Sequence, residues 1–307
     1  MRFNLTNPTL LLLAVIMLFL SCRKEKLITA CGNDAPYNYA IPTVLIENYI
    51  NRIYIDLIGR EPVDSEMALD VSALKAANLA YSVRVDIIEK LQFDTAFVLG
   101  DTTYQHAYYN EIYDAAKGRL IEGASNAYIN QQIGIAQNGY NAAILLGDSA
   151  RAANSLQTIE RLKNILGIEK EYMYNFIDVN EVFTRLLLNS VYDEINMNTF
   201  NFVNASFDNL FYREPTNAEF LSGYDMVEYG ISTTLLGQNG ENKGDYVGIL
   251  TSTREFKEGL IMWAFQSLLA RLPSTDEVDE YMEWFWLSGD FQAVQRDIML
   301  TNEYANF

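Results

Sequence analysis

The chain has 307 residues, of which 22 are basic, 40 are acidic and one is histidine, so its formal net charge at pH 7 is −18. Such a negative surface repels phosphate backbones, which excludes nucleic acid as the predicted partner. The length allows one large domain or two small ones, and the shortage of histidine and cysteine excludes a histidine-based zinc site.

The amino terminus has the pattern of a bacterial lipoprotein signal. Arg2 precedes an apolar run, Leu10–Leu20, and Cys22 follows shortly after it. The run is shorter than the about 20 apolar residues that span a bilayer and fits the roughly 7 to 15 residues of a signal-peptide core. We predict a signal peptide over residues 1–21 and a membrane anchor through a lipid on Cys22. An ordinary secretory peptide is the alternative.

Residues 22–42 form a predicted linker, because Gly, Asn, Asp and Pro occur there without an apolar period. Three basic residues, Arg23, Lys24 and Lys26, suit anionic lipid head groups. Surface-exported lipoproteins of Bacteroidetes, which the signal resembles, tend to carry acidic residues at this place. The resemblance therefore implies a protein at the outer membrane that faces the periplasm.

Apolar residues at helical spacing begin near Thr43 and continue to Gly59, which predicts a helix that ends at this glycine. Pro62 prevents its extension, and Asp64 can start the next helix. One or two further amphipathic helices follow. Residues 43–99 are the first predicted helical unit.

Residues 100–198 stay helical in pattern, and we interpret them as an insert or a degenerate repeat. Helices are predicted over Ser125–Asn138 and Ser149–Leu166, the second of them bounded by Asp148 and Gly167. No run of alternating β-branched residues is long enough to predict a sheet. Residues 199–307 contain the second and third helical units.

A helix-ending motif occurs once in each of the three units. Counted from its arginine, each copy has an aromatic residue six positions earlier, a leucine three earlier, a proline two later and a glutamate six later. The arginine, proline and glutamate are Arg60, Pro62 and Glu66; Arg213, Pro215 and Glu219; and Arg271, Pro273 and Glu277. Three copies indicate a common structural device.

Each position of the motif has a structural explanation. The arginine is expected in the last turn of its helix, where it can bind the free carbonyls. After the proline, Thr216 with Glu219 and Ser274 with Glu277 form capping boxes that start the next helix. Val63 takes the cap position in the first copy, which predicts a weaker start. The predicted fold class is all-α, an irregular helical repeat of helix–corner–helix units.

The first copy, YIDLIGREP, resembles helical domains of unknown function in planctomycete cytochrome-associated proteins, whose related repeat has a tyrosine, a leucine pair and Gly-Arg-x-Pro. The resemblance covers about half of the chain and implies a helical fold without implying an activity. Tyr212 and Ala270 stand where the first copy has Gly59. The haem-attachment pattern Cys-x-x-Cys-His of such proteins does not occur in this sequence.

Residue types that common catalytic sites require are sparse. His106 is the only histidine and lies among tyrosines, so we interpret it as a packed or surface residue. The acidic run Asp276–Glu283 opens a helix, where acids favour the helix dipole, and we interpret it as a solvated face. We predict no cofactor and no metal site.

The chain contains 20 Tyr, 16 Phe and 3 Trp. The tryptophans Trp263, Trp284 and Trp286 form a candidate aromatic surface for sugars or peptides, with core packing as the alternative. The leading expectation is a lipid-anchored envelope protein that binds or scaffolds a protein partner or a glycan, without catalysis of its own. Two alternatives stay open: a carboxylate-based glycan hydrolase, and a glycan-capturing lipoprotein of an outer-membrane uptake system.

Overall fold

The computed structural model describes residues 41–98 and 102–307, and Pro42–Phe307 form one compact unit. The predicted signal peptide, Cys22 and the linker up to residue 40 lie outside the described residues. Within those residues the fold is all-α apart from one small hairpin, which confirms the predicted all-α class.

Fifteen α-helices and two short strands make up the described part of the chain. A five-residue π-helical turn, Asp225–Tyr229, follows the tenth helix. The elements are α1 (Thr43–Ile58), α2 (Asp64–Ala76), α3 (Tyr81–Phe93), α4 (Tyr104–Leu120), α5 (Asn126–Leu146), α6 (Ser149–Met173), α7 (Val179–Leu187), α8 (Ser190–Asn196), α9 (Thr199–Phe211), α10 (Asn217–Tyr224), β1 (Thr233–Leu235), β2 (Gln238–Gly240), α11 (Lys243–Thr251), α12 (Arg254–Leu269), α13 (Thr275–Ser288), α14 (Phe291–Met299) and α15 (Asn302–Ala305).

The strands form an antiparallel hairpin between α10 and α11. The register pairs Thr233 with Gly240 and leaves Leu236 and Gly237 as a two-residue turn. Both turn residues have positive φ, 50° and 79°, as in the type I′ turns that match the twist of paired strands. The hairpin was not predicted, because strands of three residues are too short to show an alternating pattern.

Several helix ends follow local signals in the sequence. α1 begins at Thr43 and ends at Gly59, whose φ of 69° is left-handed, as predicted. α5 and α6 begin after the caps Ser125 and Asp148, which accept hydrogen bonds from the first turns. Both helices are longer than the sequence predicts.

α6 runs through Gly167, where the prediction that it ends is wrong. Beyond this glycine, Ile168 and Tyr172 are only 1% and 5% exposed. Burial of a large aliphatic side chain stabilises by roughly 1.5–3 kcal/mol, which exceeds the about 1 kcal/mol that a glycine costs inside a helix. Tertiary packing therefore overrides the local signal.

α4 is the central helix of the unit and packs against α1, α3, α6 and α7. Its inner face is aromatic, with Tyr108 and Tyr113 only 0% and 2% exposed. Their hydroxyls donate to Gln295 at 2.6 Å and to Asn126 at 2.9 Å, which satisfies them in the core. The segment interpreted as an insert or a degenerate repeat thus supplies the middle of the fold.

The first and last described helices bind each other. Tyr49 of α1 donates its hydroxyl to the carbonyl of Met299, at the end of α14, at 3.1 Å, and Arg52 donates to the carbonyl of Tyr304, in α15, at 2.9 Å. The hydroxyl of Tyr304 donates in turn to Asp56 at 2.8 Å. α1 is therefore fixed to α15 by polar contacts in both directions.

Candidate functional site

Each copy of the motif closes its corner with a bidentate ion pair. Both terminal nitrogens of the arginine donate to the glutamate six residues later. The distances are 2.8 and 2.9 Å for Arg60–Glu66, 2.9 and 2.9 Å for Arg213–Glu219, and 2.9 and 2.6 Å for Arg271–Glu277. Bidentate pairs fix orientation as well as distance, so two side chains define the geometry of each corner.

The same glutamates cap the helix after the corner. The backbone N–H groups of Thr216 and Ser274 donate to Glu219 and Glu277 at 2.7 Å, and their hydroxyls accept from the glutamate N–H groups at 3.3 Å. These contacts confirm both predicted capping boxes. The hydrogen bonds of the arginines, and then those of the caps, outweigh burial and lower the pKa of both carboxyls to about 2.

The first corner has only half of a capping box. Val63 has no side-chain acceptor, so the only cap contact is its N–H, which donates to Glu66 at 2.8 Å, and α2 begins at Asp64. Tyr104 adds a contact that the other corners lack, because its hydroxyl donates to Glu66 at 2.6 Å. Burial raises the pKa of Glu66, but the hydrogen bonds of Arg60 and Tyr104 lower it to about 2.

The arginines lie just beyond the last helical turn in which they were predicted. Each follows a left-handed residue, Gly59, Tyr212 or Ala270, with φ of 69°, 57° and 55°. From this position the guanidinium reaches forward and also donates to the carbonyl of the next residue, at 3.0 to 3.1 Å. The prolines Pro62, Pro215 and Pro273 directly precede the cap residues. All three copies therefore share the left-handed ending, although glycine adopts it without steric strain and the other two do not.

In two of the corners, a second glutamate also binds the arginine. Glu303 accepts from Nε and Nη2 of Arg271 at 2.6 and 2.7 Å, and Glu255 accepts from the same two nitrogens of Arg213. The hydrogen bonds of Arg271 lower the pKa of Glu303. The sequence signal for this contact is the pattern Thr-x-Glu-aromatic, which occurs as TREF and TNEY. The contacts of the motif lie within the protein, which favours a structural role for it.

An open cleft of about 660 Å³ lies where several helix ends meet. We call it the interhelical cleft. Its walls come from α3, α4, α6, α7, α13 and α14. Its aromatic, acidic and amide side chains are Phe93, Tyr109, Tyr172 and Phe176; Asp178, Glu181 and Asp290; and Gln105, Asn175 and Gln292. None of these residues belongs to the repeated motif.

Helix caps place carboxylates at the edge of this cleft. Asp178 caps α7 and Asp290 caps α14, each through Oδ1 at 2.9 Å from a backbone N–H. The chain between α6 and α7 turns through Asn175, whose φ is 57°. The turn leaves the ring of Phe176 77% exposed. Acidic and aromatic groups therefore stand side by side at the opening.

The floor of the cleft contains a buried hydroxyl that lacks a good partner. Gln292 donates to the hydroxyl of Tyr109 at 3.0 Å, and the rings of Tyr109 and Tyr172 meet edge to face, 5.2 Å apart. The hydroxyl of Tyr172 makes no hydrogen bond of ordinary geometry, although Gln292 lies beside it. Burial raises the pKa of Tyr172, so this hydroxyl stays neutral. A buried polar group without a hydrogen-bond partner lowers the free energy of unfolding by about 1–3 kcal/mol.

Lys257 lies next to the turn at Gly289, which lines the cleft. It is 7% exposed, and its ammonium lies 5.0 Å from the ring centroid of Phe285. Burial lowers the pKa of Lys257, and the carboxylate of Asp178 opposes this effect. A Cβ at residue 289 would stand 3.1 Å from Nζ. Glycine therefore leaves room for a buried ammonium close to the cleft.

A smaller cavity of about 250 Å³ lies between α1, α4 and α12. Two of its lining residues are Asp56 and Glu111, and burial raises the pKa of both carboxyls. Asp56 also accepts the hydroxyl of Tyr304 at 2.8 Å. Another wall carries Trp263, which stacks on Phe291 with ring centroids 5.3 Å apart. This cavity brings a carboxylate pair and an aromatic pair together.

The three tryptophans predicted as one aromatic surface line different parts of the protein. Trp263 lies in the smaller cavity, and Trp284 lines a separate depression beside Tyr81 and Arg296. Trp286, two positions further along α13, is 44% exposed. Residues two apart on a helix do not face the same side, so Trp284 and Trp286 do not form a joint surface on that helix.

The remaining sequence candidates lie on the surface. The side chain of His106 is 45% exposed, and its Nδ1 lies 3.0 Å from Glu169 Oε1. In the acidic run Asp276–Glu283, the side chain of Asp279 is 68% exposed and lies 3.6 Å from Arg254. Both placements agree with the interpretation of surface residues.

Among residues 41–98 and 102–307, no group of three or more His, Cys, Asp or Glu side chains is arranged to hold a metal ion. Within the same ranges, no helix is long and apolar enough to cross a membrane. Neither a protein-family model, nor a curated protein, nor a solved structure matches this chain.

Proposed function

We propose that the protein is a lipid-anchored binding protein of the cell envelope, which holds its ligand in the interhelical cleft and catalyses no reaction. The anchor rests on the signal pattern that ends at Cys22. The basic residues directly after it favour contact with anionic lipids and a protein that faces the periplasm from the outer membrane.

One observation carries the proposal: the cleft combines an incompletely satisfied polar floor with aromatic walls. The hydroxyl of Tyr172 is buried without a hydrogen bond of ordinary geometry, so a ligand that bonds to it removes an existing cost. The volume of about 660 Å³ falls within the about 300–1,000 Å³ of small-molecule sites. A ligand that reaches this hydroxyl is therefore expected to stabilise the protein.

A glycan is the ligand class that the lining favours. The ring of Phe176 is 77% exposed, and the cleft that it lines also carries carboxylates and amides. Tyr174, which is 54% exposed, lies outside the lining, but its ring centroid is 6.2 Å from that of Phe176. Aromatic rings with neighbouring polar groups suit sugars, which have apolar ring faces and hydroxyl edges. A segment of an envelope protein with polar and aromatic side chains is the alternative occupant.

Calorimetric titration with a panel of neutral oligosaccharides tests the cleft. Tyr172→Phe removes one hydroxyl and is expected to weaken binding about tenfold. Tyr128→Phe is the matched control, because that hydroxyl lies on the surface and donates to Glu194 at 2.9 Å. Equal affinities of Tyr172→Phe and the parent would contradict the interhelical cleft as the binding site. Absence of heat with every sugar would contradict a neutral glycan as the ligand.

Cell fractionation tests the anchor separately from the ligand. The parent chain is expected in the membrane fraction, and Cys22→Ala is expected to release the protein into the soluble periplasmic fraction. Recovery of the parent chain in the cytosol without lipid would contradict the location. Metabolic labelling with a fatty-acid analogue distinguishes a lipid on Cys22 from a retained signal peptide.

A carboxylate-based hydrolase is the second candidate, favoured by Asp56 and Glu111 in the smaller cavity. Burial raises the pKa of both carboxyls, which a general acid in a glycosidase requires. Release of reducing sugar by the parent chain and its loss in Glu111→Gln would support this candidate. Absence of release from all glycans that bind would exclude it.

A further inference from the structure

The interhelical cleft is lined by acidic side chains and by no basic one. Among the described residues of its lining, Asp178, Glu181 and Asp290 are acidic, and none is Lys, Arg or His. Arg185, outside the lining, pairs with Glu181 at 2.9 Å. Lys257 lies near enough to Asp178 to feel its charge. Within the described part of the chain, Asp290 has no basic partner, so the protein balances this carboxylate least.

The two aspartates of the cleft use only part of their hydrogen-bonding capacity. Asp178 and Asp290 cap α7 and α14 through Oδ1, and an asparagine or serine caps a helix about as well. The positive end of the helix favours a carboxylate only by a small amount that salt screens. Among residues 41–98 and 102–307, no group donates a hydrogen bond to Oδ2 of either residue. Two acceptor atoms from different helices thus remain for a ligand.

Both carboxylates lie near the hydroxyl of Tyr172. This residue is 5% exposed, and its hydroxyl has no hydrogen bond of ordinary geometry. Burial raises the pKa of Tyr172 most, and the charges of Asp290 and Asp178 raise it further. A phenol oxygen can accept a hydrogen bond as well as donate one. An anionic ligand at this hydroxyl would be repelled by both aspartates, so the surroundings favour a ligand that donates.

The aromatic walls attract the same kind of group. Phe176 and Phe93 line the cleft and are 77% and 43% exposed. The face of an aromatic ring attracts a cation electrostatically. Carboxylates and aromatic faces together therefore favour a positively charged group over an acidic one. A neutral group would leave the charges of Asp178 and Asp290 without a partner.

We propose, on the basis of the binding function given above, that the ligand of the interhelical cleft is a sugar with a protonated primary amine. An ammonium has three N–H donors. The cleft offers three acceptors for them: Oδ2 of Asp178, Oδ2 of Asp290 and the hydroxyl oxygen of Tyr172. The apolar face of the sugar ring packs on Phe176. Acetylation of the amine removes its charge and two of its three donors, so the acetylated sugar loses these contacts.

Calorimetric titration with two matched trisaccharides tests the ligand class. One is the trimer of glucosamine, and the other is the trimer of N-acetylglucosamine. At about pH 6, where a primary amine carries its proton, the parent chain is expected to bind the glucosamine trimer about tenfold more tightly. Added salt is expected to reduce this preference, because it screens exposed carboxylates.

A charge-removing variant locates the amine in the cleft. Asp290→Asn keeps the oxygen that caps α14 and removes the charge. It is expected to weaken binding of the glucosamine trimer about fivefold and to leave the acetylated trimer unaffected. Asp148→Asn is the matched control, because Asp148 caps α6 through Oδ1 at 3.0 Å. It lies at the opposite end of that helix from Tyr172, so neither affinity is expected to change.

The outcomes separate the ligand class from the binding function itself. Equal affinities of the parent for the two trimers overturn the proposed amine, and so does an unchanged affinity for the glucosamine trimer in Asp290→Asn. In both cases the cleft remains the binding site if Tyr172→Phe weakens both trimers, and it does not if that variant weakens neither. Absence of heat with the glucosamine trimer also overturns the amine.

Discussion

Glu303 accepts hydrogen bonds from Nε and Nη2 of Arg271, at 2.6 and 2.7 Å, although the two residues are 32 positions apart. Glu277 binds Nη1 and Nη2 of the same guanidinium. One arginine after α12 thus holds carboxylates from α13 and α15. The pair links the corner after α12 to α15, and Arg213 makes the corresponding link from the corner after α9 to Glu255 at the start of α12.

The link between Arg271 and Glu303 is measurable with a double-mutant cycle. Because both side chains are partly exposed, we expect a coupling of about 0.5–1 kcal/mol in the free energy of unfolding, measured by urea denaturation. Arg271→Lys is expected to recover little of it, since an ammonium cannot bind two carboxylates in bidentate fashion. Arg254→Ala is the control, with an expected change within about 0.5 kcal/mol. Loss of ligand binding in a fully stable Arg271→Ala would contradict a purely structural role for the motif.

The fold is expected to lose stability on acidification because Glu66 must then leave its partners. The pKa of Glu66 is lowered from 4.5 to about 2. A lowered pKa means that the contribution is complete above pH 4.5 and is lost as the pH falls towards 2. Urea midpoints measured from about pH 6 to about pH 2 test this. Glu66→Gln is expected to give a flatter curve, and an equally steep decline in that variant would contradict the assignment.

Val63→Thr is expected to complete the first capping box. Val63 is 53% exposed, and threonine has nearly the same shape, so the change adds an acceptor without altering the core. The expected gain is about 1 kcal/mol in the free energy of unfolding. The reverse change, Thr216→Val, should lose a similar amount in the second corner. Thermal or urea unfolding measures both, and no difference from the parent in either variant would argue against the cap.

Ala270→Gly is expected to stabilise the third corner. Ala270 is exposed and has φ of 55°, a conformation that costs a non-glycine residue roughly 1 kcal/mol. Gly59→Ala should destabilise, because φ there is 69° and a Cβ would collide with the carboxylate of Glu111. Melting temperatures of the two variants should therefore move in opposite directions. A lower melting temperature for Ala270→Gly would refute the strain.

Tyr172→Phe is expected to raise stability while it weakens ligand binding. Removing a buried hydroxyl without a good partner should stabilise the free protein by about 1 kcal/mol. Tyr108→Phe is the contrast, because its hydroxyl donates to Gln295 at 2.6 Å and its removal should destabilise. A loss of stability in Tyr172→Phe would show that the hydroxyl serves the fold and not the ligand.

The corners could be predicted from the sequence because their signals are local. A left-handed Gly59, a proline and the caps Thr216 and Ser274 act within a few residues, where spacing in the sequence is spacing in the structure. Glu255 and Glu303 were not assigned, because their pairing depends on how helices 42 and 32 residues further on are packed. The predicted helix end at Gly167 was wrong for the same reason, since the burial of side chains beyond this glycine keeps the helix intact.

The cleft could not be predicted, because it has no sequence pattern of its own. It joins side chains from Phe93 to Gln292, which meet only after several helices have packed. Proximity in sequence was a poor guide for the tryptophans too. Trp284 and Trp286 are neighbours in the chain, but the helix turns them to different sides.

The contacts of α1 with α14 and α15 have a consequence for how the protein is made. Tyr49 and Met299 are 250 residues apart, so at about 5–20 residues per second their synthesis is separated by roughly 10–50 s. Throughout this interval α1 can pack against α2, α3 and α4, but the carbonyls that accept from Tyr49 and Arg52 have not yet been made. A chain that stops before Met299 lacks the partners of both Tyr49 and Arg52. Helices α14 and α15 therefore complete the packing of α1 only late in synthesis.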